Sequence, residues 1–373
     1  MTGPVLCLHP GAERYGSDRV FLAAVRALAA HHRVEVVLGG DGPLAADLRA
    51  VGANVRVADV LVLRKALLRA PWRLPLALLR DVAAWRRRVR RLRPAAVYVS
   101  TVTLPGALLG ARLAGAPVLC HVHEAEPLPR PVRTVLLAPL LAAHRVISIS
   151  GATRGFVVGT LPVLAARVRP LRNPVPPVTA PPALPATAPQ PLRLALVGRI
   201  SERKGTDVAV RATALLRDRG HAVRLDLYGD VFPGYEPWSA HVDALVYRLG
   251  LDGAVTRHGV VADTGAAYRD AHVCVVPSRV EPYGLVAVEA RLAGRVLVVS
   301  DVDGLRETVD GGSSGTLVPP GSPDALADAV EAHLAAWPDA VAAARASGER
   351  ARVDHHPDRF AAGLHAIVAE VVA

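Results

Sequence analysis

Short apolar runs alternate with helix-length segments along the whole chain, and the alternation is interrupted once. Before the interruption the runs are Val5–His9, Val34–Leu38, Asn54–Val57, Ala95–Ser100, Pro117–Val122 and Val146–Ser150. Several are β-branched and apolar on both faces, as buried parallel strands are. After it the same pattern restarts with Leu192–Val197, Val223–Tyr228, Val255–His258, Val273–Pro277 and Val296–Ser300. Segments such as Ser17–Ala30 and Pro75–Arg93 fill the gaps as helices. The interruption, Pro170–Pro191, holds nine prolines in 22 residues. Proline removes a backbone donor and blocks helix, so this stretch reads as a stiff linker. Strands alternating with helices predict an α/β protein of two doubly wound sheets. In such sheets ligands bind beyond the carboxyl ends of the strands, and two facing domains make a cleft.

The 373 residues suit two or three domains. Hydrophobic residues at 51% are enough for a core in each, which excludes a disordered chain. Cys7, Cys120 and Cys274 lie far apart, each in an apolar run. That excludes a disulfide scaffold, offers no metal spacing and suits a reducing compartment. Met1–His9 lacks the basic start of a secretory signal. The apolar run Leu104–Cys120 is broken by Arg112 and is too short to span a bilayer. The expected location is cytoplasmic, or peripheral on the inner face of the cell membrane.

The net charge of +11 is unevenly spread. Residues 64–93 carry eleven Arg/Lys against Asp81 alone. Leu78, Val82, Trp85, Val89 and Leu92 form a helical stripe there, ringed by Arg86, Arg87, Arg88 and further arginines, with Trp72 upstream. Two readings stand. Arg86, Arg87, Arg88 and Trp72 form a membrane or acceptor surface on anionic lipid. Alternatively the stripe packs on the protein's own sheet and the arginines are solvated. No recognition motif accompanies the charge, so nucleic acid is not an expected partner.

Three turns carry chemistry. The first, Leu196–Asp207, puts Gly198 at a strand end, where a ligand can approach the backbone. Arg199 and Lys204 follow as two cations suited to a diphosphate. Lys204 is one of only two lysines among 44 cations. The second turn, Pro277–Ala290, holds Pro282 and Gly284 at a helix entry, whose free N–H groups attract anions. Glu281 and Glu289 flank that entry. Helical rise over eight residues separates them by roughly 12 Å, too far for a retaining glycosidase pair and about the length of a sugar nucleotide. The third, Pro10–Val20, is a glycine-containing strand-to-helix turn, with Gly16-Ser17-Asp18-Arg19 preferred over the rival register Gly11-Ala12-Glu13-Arg14. His121 and His123 end another strand and share a face, so alternation does not choose between them.

These residues resemble the retaining family-4 glycosyltransferases (glycosyl transferases group 1). Glu281 to Glu289 matches the family's Glu-x7-Glu run, and Gly198-Arg199…Lys204-Gly205 its diphosphate clamp. Ser300–Glu307 resembles its Gly-Gly-x-x-Glu loop, and Gly312–Pro320 the segment that follows. The match covers residues 192–335, and the first domain resembles the family more loosely. Tyr15 stands where the family has its first glycine.

The resemblance implies the GT-B fold, two facing Rossmann-like domains with a C-terminal helix crossing back. Its parts would be an acceptor-binding domain at 1–175, a linker at 176–191, a nucleotide-sugar domain at 192–355 and the helix at 356–373. That helix carries the stripe Phe360, Leu364, Ile367 and Val371. It further implies that Arg199 and Lys204 hold the leaving diphosphate, with backbone N–H groups of Gly284 and Leu285. Gly16 and Gly198 belong to the same donor site. Glu281 contacts the hexose, Glu289 the ribose, and His123-Glu124 stands beside the donor sugar. Asp301-Val302-Asp303 looks like a metal-binding pair but belongs to the Gly304 loop, so neither metal nor cofactor is expected.

The expected reaction is retaining, metal-independent transfer of a hexose from a nucleoside-diphosphate sugar to a glycan or lipid-linked acceptor, in envelope or polysaccharide synthesis. The alternatives are a sugar-nucleotide epimerase, or a non-catalytic membrane-surface protein of the same fold. The sequence names neither donor nor acceptor.

Overall fold

The structure, a computed structural model, describes residues 3–63, 74–176, 182–231, 234–261 and 264–372. The chain divides into two compact units: Met1–Pro174 with Pro357–Ala373, and Val175–His356.

The first unit begins β1 (Val5–His9), α1 (Gly16–Ala29), β2 (Val34–Leu38), α2 (Pro43–Ala50), β3 (Asn54–Val57), α3 (Leu74–Leu92) and β4 (Ala96–Val99). It continues with α4 (Pro105–Leu113), β5 (Val118–Val122), α5 (Arg130–Leu137), β6 (Arg145–Ser148), α6 (Gly151–Thr160) and β7 (Val168–Pro170). The strands form one sheet, β3-β2-β1-β4-β5-β6-β7. All its pairings are parallel. Strands β1, β4 and β5 are buried along their whole length, which accounts for their unbroken apolar runs.

The second unit runs β8 (Leu192–Val197), α7 (Thr206–Asp218), β9 (Val223–Tyr228), α8 (Glu236–Arg248), β10 (Val255–Gly259), α9 (Thr264–Arg269) and β11 (Val273–Val276). Then come α10 (Leu285–Leu292), β12 (Val296–Ser300), α11 (Asp303–Thr308), β13 (Thr316–Val318), α12 (Pro323–Ala335) and α13 (Trp337–Asp354). Its sheet order is β10-β9-β8-β11-β12-β13. In each sheet the order reverses beside the first strand, at β1/β4 and at β8/β11. Those switch points are where such sheets bind ligands. β7 and β13, three residues each, are the strands the sequence pattern does not reveal. They are too short for alternation to register.

The proline-rich stretch is fastened to the second unit where it is described: Trp337 Nε1 donates to the Pro185 carbonyl at 2.9 Å, and Arg295 donates to the Pro182 carbonyl. The last helix, α14 (Pro357–Val372), belongs to the first unit. It buries Phe360, Leu364, Ile367 and Val368, so Val368 takes the place expected for Val371. Glu370 pairs with Arg145 at 2.6 Å and Arg169 at 2.9 Å.

The apolar stripe of α3 is used internally. Trp85 and Val89 are buried in the core that α3 shares with α4. Gly106 and Gly110 permit this approach. A Cβ at Gly106 would collide with the Asp81 carboxylate, and one at Gly110 would stand 2.6 Å from Trp85 Cβ. Gly110→Leu is therefore expected to cost about 2–3 kcal/mol, read as a lower thermal midpoint. An unchanged midpoint would refute this packing.

Burial pushes the Asp81 carboxyl up to about 6, against hydrogen bonds from the Leu61 N–H and Trp85 that favour its charge. A raised carboxyl binds its proton more tightly in the folded chain. Its contribution is full below about pH 4 and is lost as pH rises through about 6. Asp81→Asn should therefore flatten the stability profile between those values and raise the thermal midpoint at pH 7.5.

Candidate functional site

At the carboxyl edge of the second sheet, two loops are stitched together. One joins β8 to α7 and the other joins β11 to α10. Arg279 makes a bidentate pair with Asp207 at 2.9 and 2.8 Å, and Arg203 Nε donates to the Val280 carbonyl at 3.1 Å. Burial works against ionisation of Asp207, but the bonds and charge of Arg279 outweigh it and hold the carboxyl below its usual range. Between these ties Lys204 Nζ meets Glu281 Oε2 at 2.5 Å, the side chains 18% and 11% exposed. The two residues lie 77 apart in sequence and share one point at the strand tips.

Glycine geometry makes this possible. Gly205, at φ 67°, lies so close to the Pro277 carbonyl that no Cβ fits. Gly284, at φ 101°, is the residue from which α10 starts, and a Cβ there would press on Leu305. Both conformations are in the left-handed region that glycine alone adopts cheaply. Gly304 packs against the Glu281 and Pro282 backbone, so the 300–307 loop abuts the turn that carries Glu281. Tyr283 anchors the same turn through its hydroxyl, 2.9 Å from His355 Nδ1.

The helix begins only at Leu285, so the helical spacing expected from Glu281 to Glu289 does not apply. Glu289 is 1% exposed, and Tyr268 donates to its Oε2 at 2.8 Å. A ribose reaching this carboxylate has to share it with Tyr268. Arg291, also 1% exposed, ties α10 to Asp310 and Ser347 at 2.9 Å. Arg199 is half-buried at the tip of β8. Asp301 is held by both arms of Arg306 at 2.7 Å. Tyr268 escaped sequence reading because it lies between the motifs; Asp207 and Arg279 lie within the two turns, but a pairing across 72 residues leaves no local pattern.

In the first unit, α1 starts at Gly16, which places Asp18 in its first turn. Asp18 caps the Tyr15 N–H at 2.8 Å and meets His9 Nε2 at 2.6 Å. His9 Nδ1 lies 2.5 Å from Ser100 Oγ. In the rival register, Glu13 and Arg14 are exposed, and Arg14 pairs with Asp47.

The structure separates the two histidines. His121 is fully buried within β5, 2.6 Å from the Tyr98 hydroxyl. His123 follows the strand end and is half-buried. Burial first, then the charge of His9, push its pKa down to about 3, opposed by Asp18. It is a neutral imidazole at physiological pH, and its Nε2 has no hydrogen-bond partner. Beside it Glu124 accepts hydrogen bonds from Thr101 and, at 3.0 Å, from the His123 N–H.

Arg86 and Arg87 are exposed on α3, whereas Arg88 lies 5.3 Å over the Trp85 ring. Trp72 falls outside the described residues. No described helix is long and apolar enough to cross a membrane.

Two parallel Rossmann-like sheets, with paired charge and left-handed glycines at a strand edge, define a GT-B protein. Comparison bears this out. HepE of Anabaena, crystallised with UDP and glucose, superposes with a TM-score of 0.83 over 98% of this chain and 99% of its own, at 19% identity. Residues 191–336 match the family profile Glycosyl transferases group 1, and residues 15–178 match Glycosyltransferase Family 4. The chain belongs to this glycosyltransferase family.

An uncharacterized glycosyltransferase of Methanocaldococcus jannaschii is 36% identical over 143 residues, 38% of this chain and 35% of that protein. The D-inositol 3-phosphate glycosyltransferase of Kribbella flavida is 38% identical over 146 residues, 37% of this chain and 34% of that protein. The chain thus matches about a third of the length of these curated relatives.

Proposed function

We propose that the protein is a retaining glycosyltransferase that moves a hexose from a nucleoside-diphosphate sugar to a glycan or lipid-linked acceptor. The observation that carries this reading is the Lys204–Glu281 pair, set between two glycines at the edge of the second sheet. On donor binding, Lys204 and Arg199 would turn to the diphosphate, with the N–H groups at Gly284 and Leu285. Glu281, released from Lys204, would accept hydrogen bonds from the hexose hydroxyls, and the Glu289 carboxylate would be shared between Tyr268 and the ribose.

In the reaction the bond from the anomeric carbon to phosphate breaks as the acceptor oxygen bonds to that carbon on the same face. The departing phosphate takes the acceptor's proton. Rate enhancement then comes from positioning and fixed charge, with no metal invoked. The UDP and glucose bound by HepE support a nucleotide-sugar donor. The parts proposed for Gly16 and His123 rest on the family resemblance and on a neutral, unpartnered His123 Nε2.

Calorimetry with UDP-, GDP- and dTDP-sugars tests the reading. It expects one donor to bind to the wild type and to lose affinity in Glu281→Ala. Release of an epimer from nucleotide sugar alone would instead support an epimerase.

The exposed face of α3 is proposed to meet an anionic membrane, where its cations each contribute about 1 kcal/mol. Sedimentation with anionic vesicles should fall at low salt when Arg86, Arg87 and Arg90 become Gln. Unchanged binding would remove the membrane reading.

A further inference from the structure

Beside α3 the first unit holds a cavity of about 470 Å³, within the range of small-ligand sites. Arg56 of β3 and Arg87, Arg88 and Arg91 of α3 converge on it. Leu6 and Val37 contribute apolar wall. Among the described residues none of these four guanidiniums is in an ion pair. Glu35 is the only acid of the lining, and it is engaged by Asn54 at 2.8 Å and Arg33 at 3.9 Å. Arg88 is held below its usual pKa by burial and then by the charge of Arg56. Like charges brought together in this way are relieved by an anion.

Arginine forks suit phosphate oxygens, and apolar wall beside them suits the rest of an amphiphile. The cavity is also continuous with an exposed surface. At 3.6 residues per turn, Leu76, Leu79, Arg80, Arg86, Arg87 and Arg90 fall on one arc of α3. Leu76 and Leu79 are 53% and 67% exposed. Arg87 belongs to both that arc and the cavity.

We infer that this cavity is a binding site for the phosphate-bearing headgroup of an anionic lipid. The inference rests on α3 facing a bilayer and adds a specific subsite to it.

The test is flotation of the full chain at physiological salt with phosphatidylcholine vesicles carrying phosphatidic acid, or oleate at matched surface charge. The wild type should prefer phosphatidic acid. Arg56→Gln with Arg88→Gln should reduce that binding at least about tenfold and remove the preference over oleate, since two guanidinium forks of the cavity lining are lost. Ala84→Glu, which keeps every arginine and adds a carboxylate to the lining, should do the same. Arg86→Gln with Arg90→Gln, outside the cavity, should weaken binding to both vesicle types alike and keep the preference for phosphatidic acid.

A preference for phosphatidic acid that survives in Arg56→Gln with Arg88→Gln, or equal wild-type binding to oleate vesicles, would overturn the headgroup site and leave the bilayer-facing helix standing. No wild-type binding even at low salt would overturn both. Binding of glycerol 3-phosphate to the lipid-free chain as tight as binding to phosphatidic acid vesicles would overturn the lipid source in favour of a soluble phosphate ester.

Discussion

Lys204→Ala is expected to lower turnover at least about a hundredfold, the loss typical of removing one fixed donor from a site that stabilises developing charge. The pair is partly exposed and lies at a loop, so the thermal midpoint should move by only a few degrees. Loss of Lys204 also frees Glu281, whose uncompensated carboxylate would repel an incoming diphosphate. Both effects act on the same ligand, so donor affinity and turnover fall together. Lys204→Arg restores charge but not shape and should recover part of the affinity. Near-normal rates in Lys204→Ala would end the proposed clamp.

Asp18→Ala carries the largest expected stability effect. His9 is 2% exposed and Asp18 5%, and their contact is 2.6 Å. The substitution strands a buried imidazole and removes the acceptor for the Tyr15 N–H at the start of α1. Breaking a buried pair from one side costs about 3–5 kcal/mol. Differential scanning calorimetry should show an unfolding transition shifted down by roughly ten degrees or more. His9→Phe with Asp18→Ala, which removes both partners, should recover part of the loss. A lone Asp18→Ala chain as stable as the wild type would show that the pair contributes nothing.

The two sheets were legible because buried parallel strands read as near-continuous apolar runs, and β1, β11 and β12 have them. The motif residues were legible for a related reason. Gly205 and Gly284 mark left-handed turns, and Lys204 stands out where arginine is the usual cation. What stayed hidden depends on partners distant in sequence. Nothing near Glu289 announces Tyr268, 21 residues earlier, or the burial that comes with it. The choice between His121 and His123 needed the end of β5, since both project to one side of the chain. The stripe on α3 read equally as membrane-facing or core-facing until Gly106 and Gly110 were seen to receive it.

In the proposed donor site the closed contact between Lys204 and Glu281 sets one cation against one acid. A lone inorganic phosphate gains little by entering, because it must first separate two opposite charges that already satisfy each other. A nucleotide sugar brings two phosphoryl groups for the cation and hydroxyls for the acid, so it compensates both partners at once. Under the proposed function, discrimination against abundant small anions thereby follows from the closed pair, before any sugar is recognised.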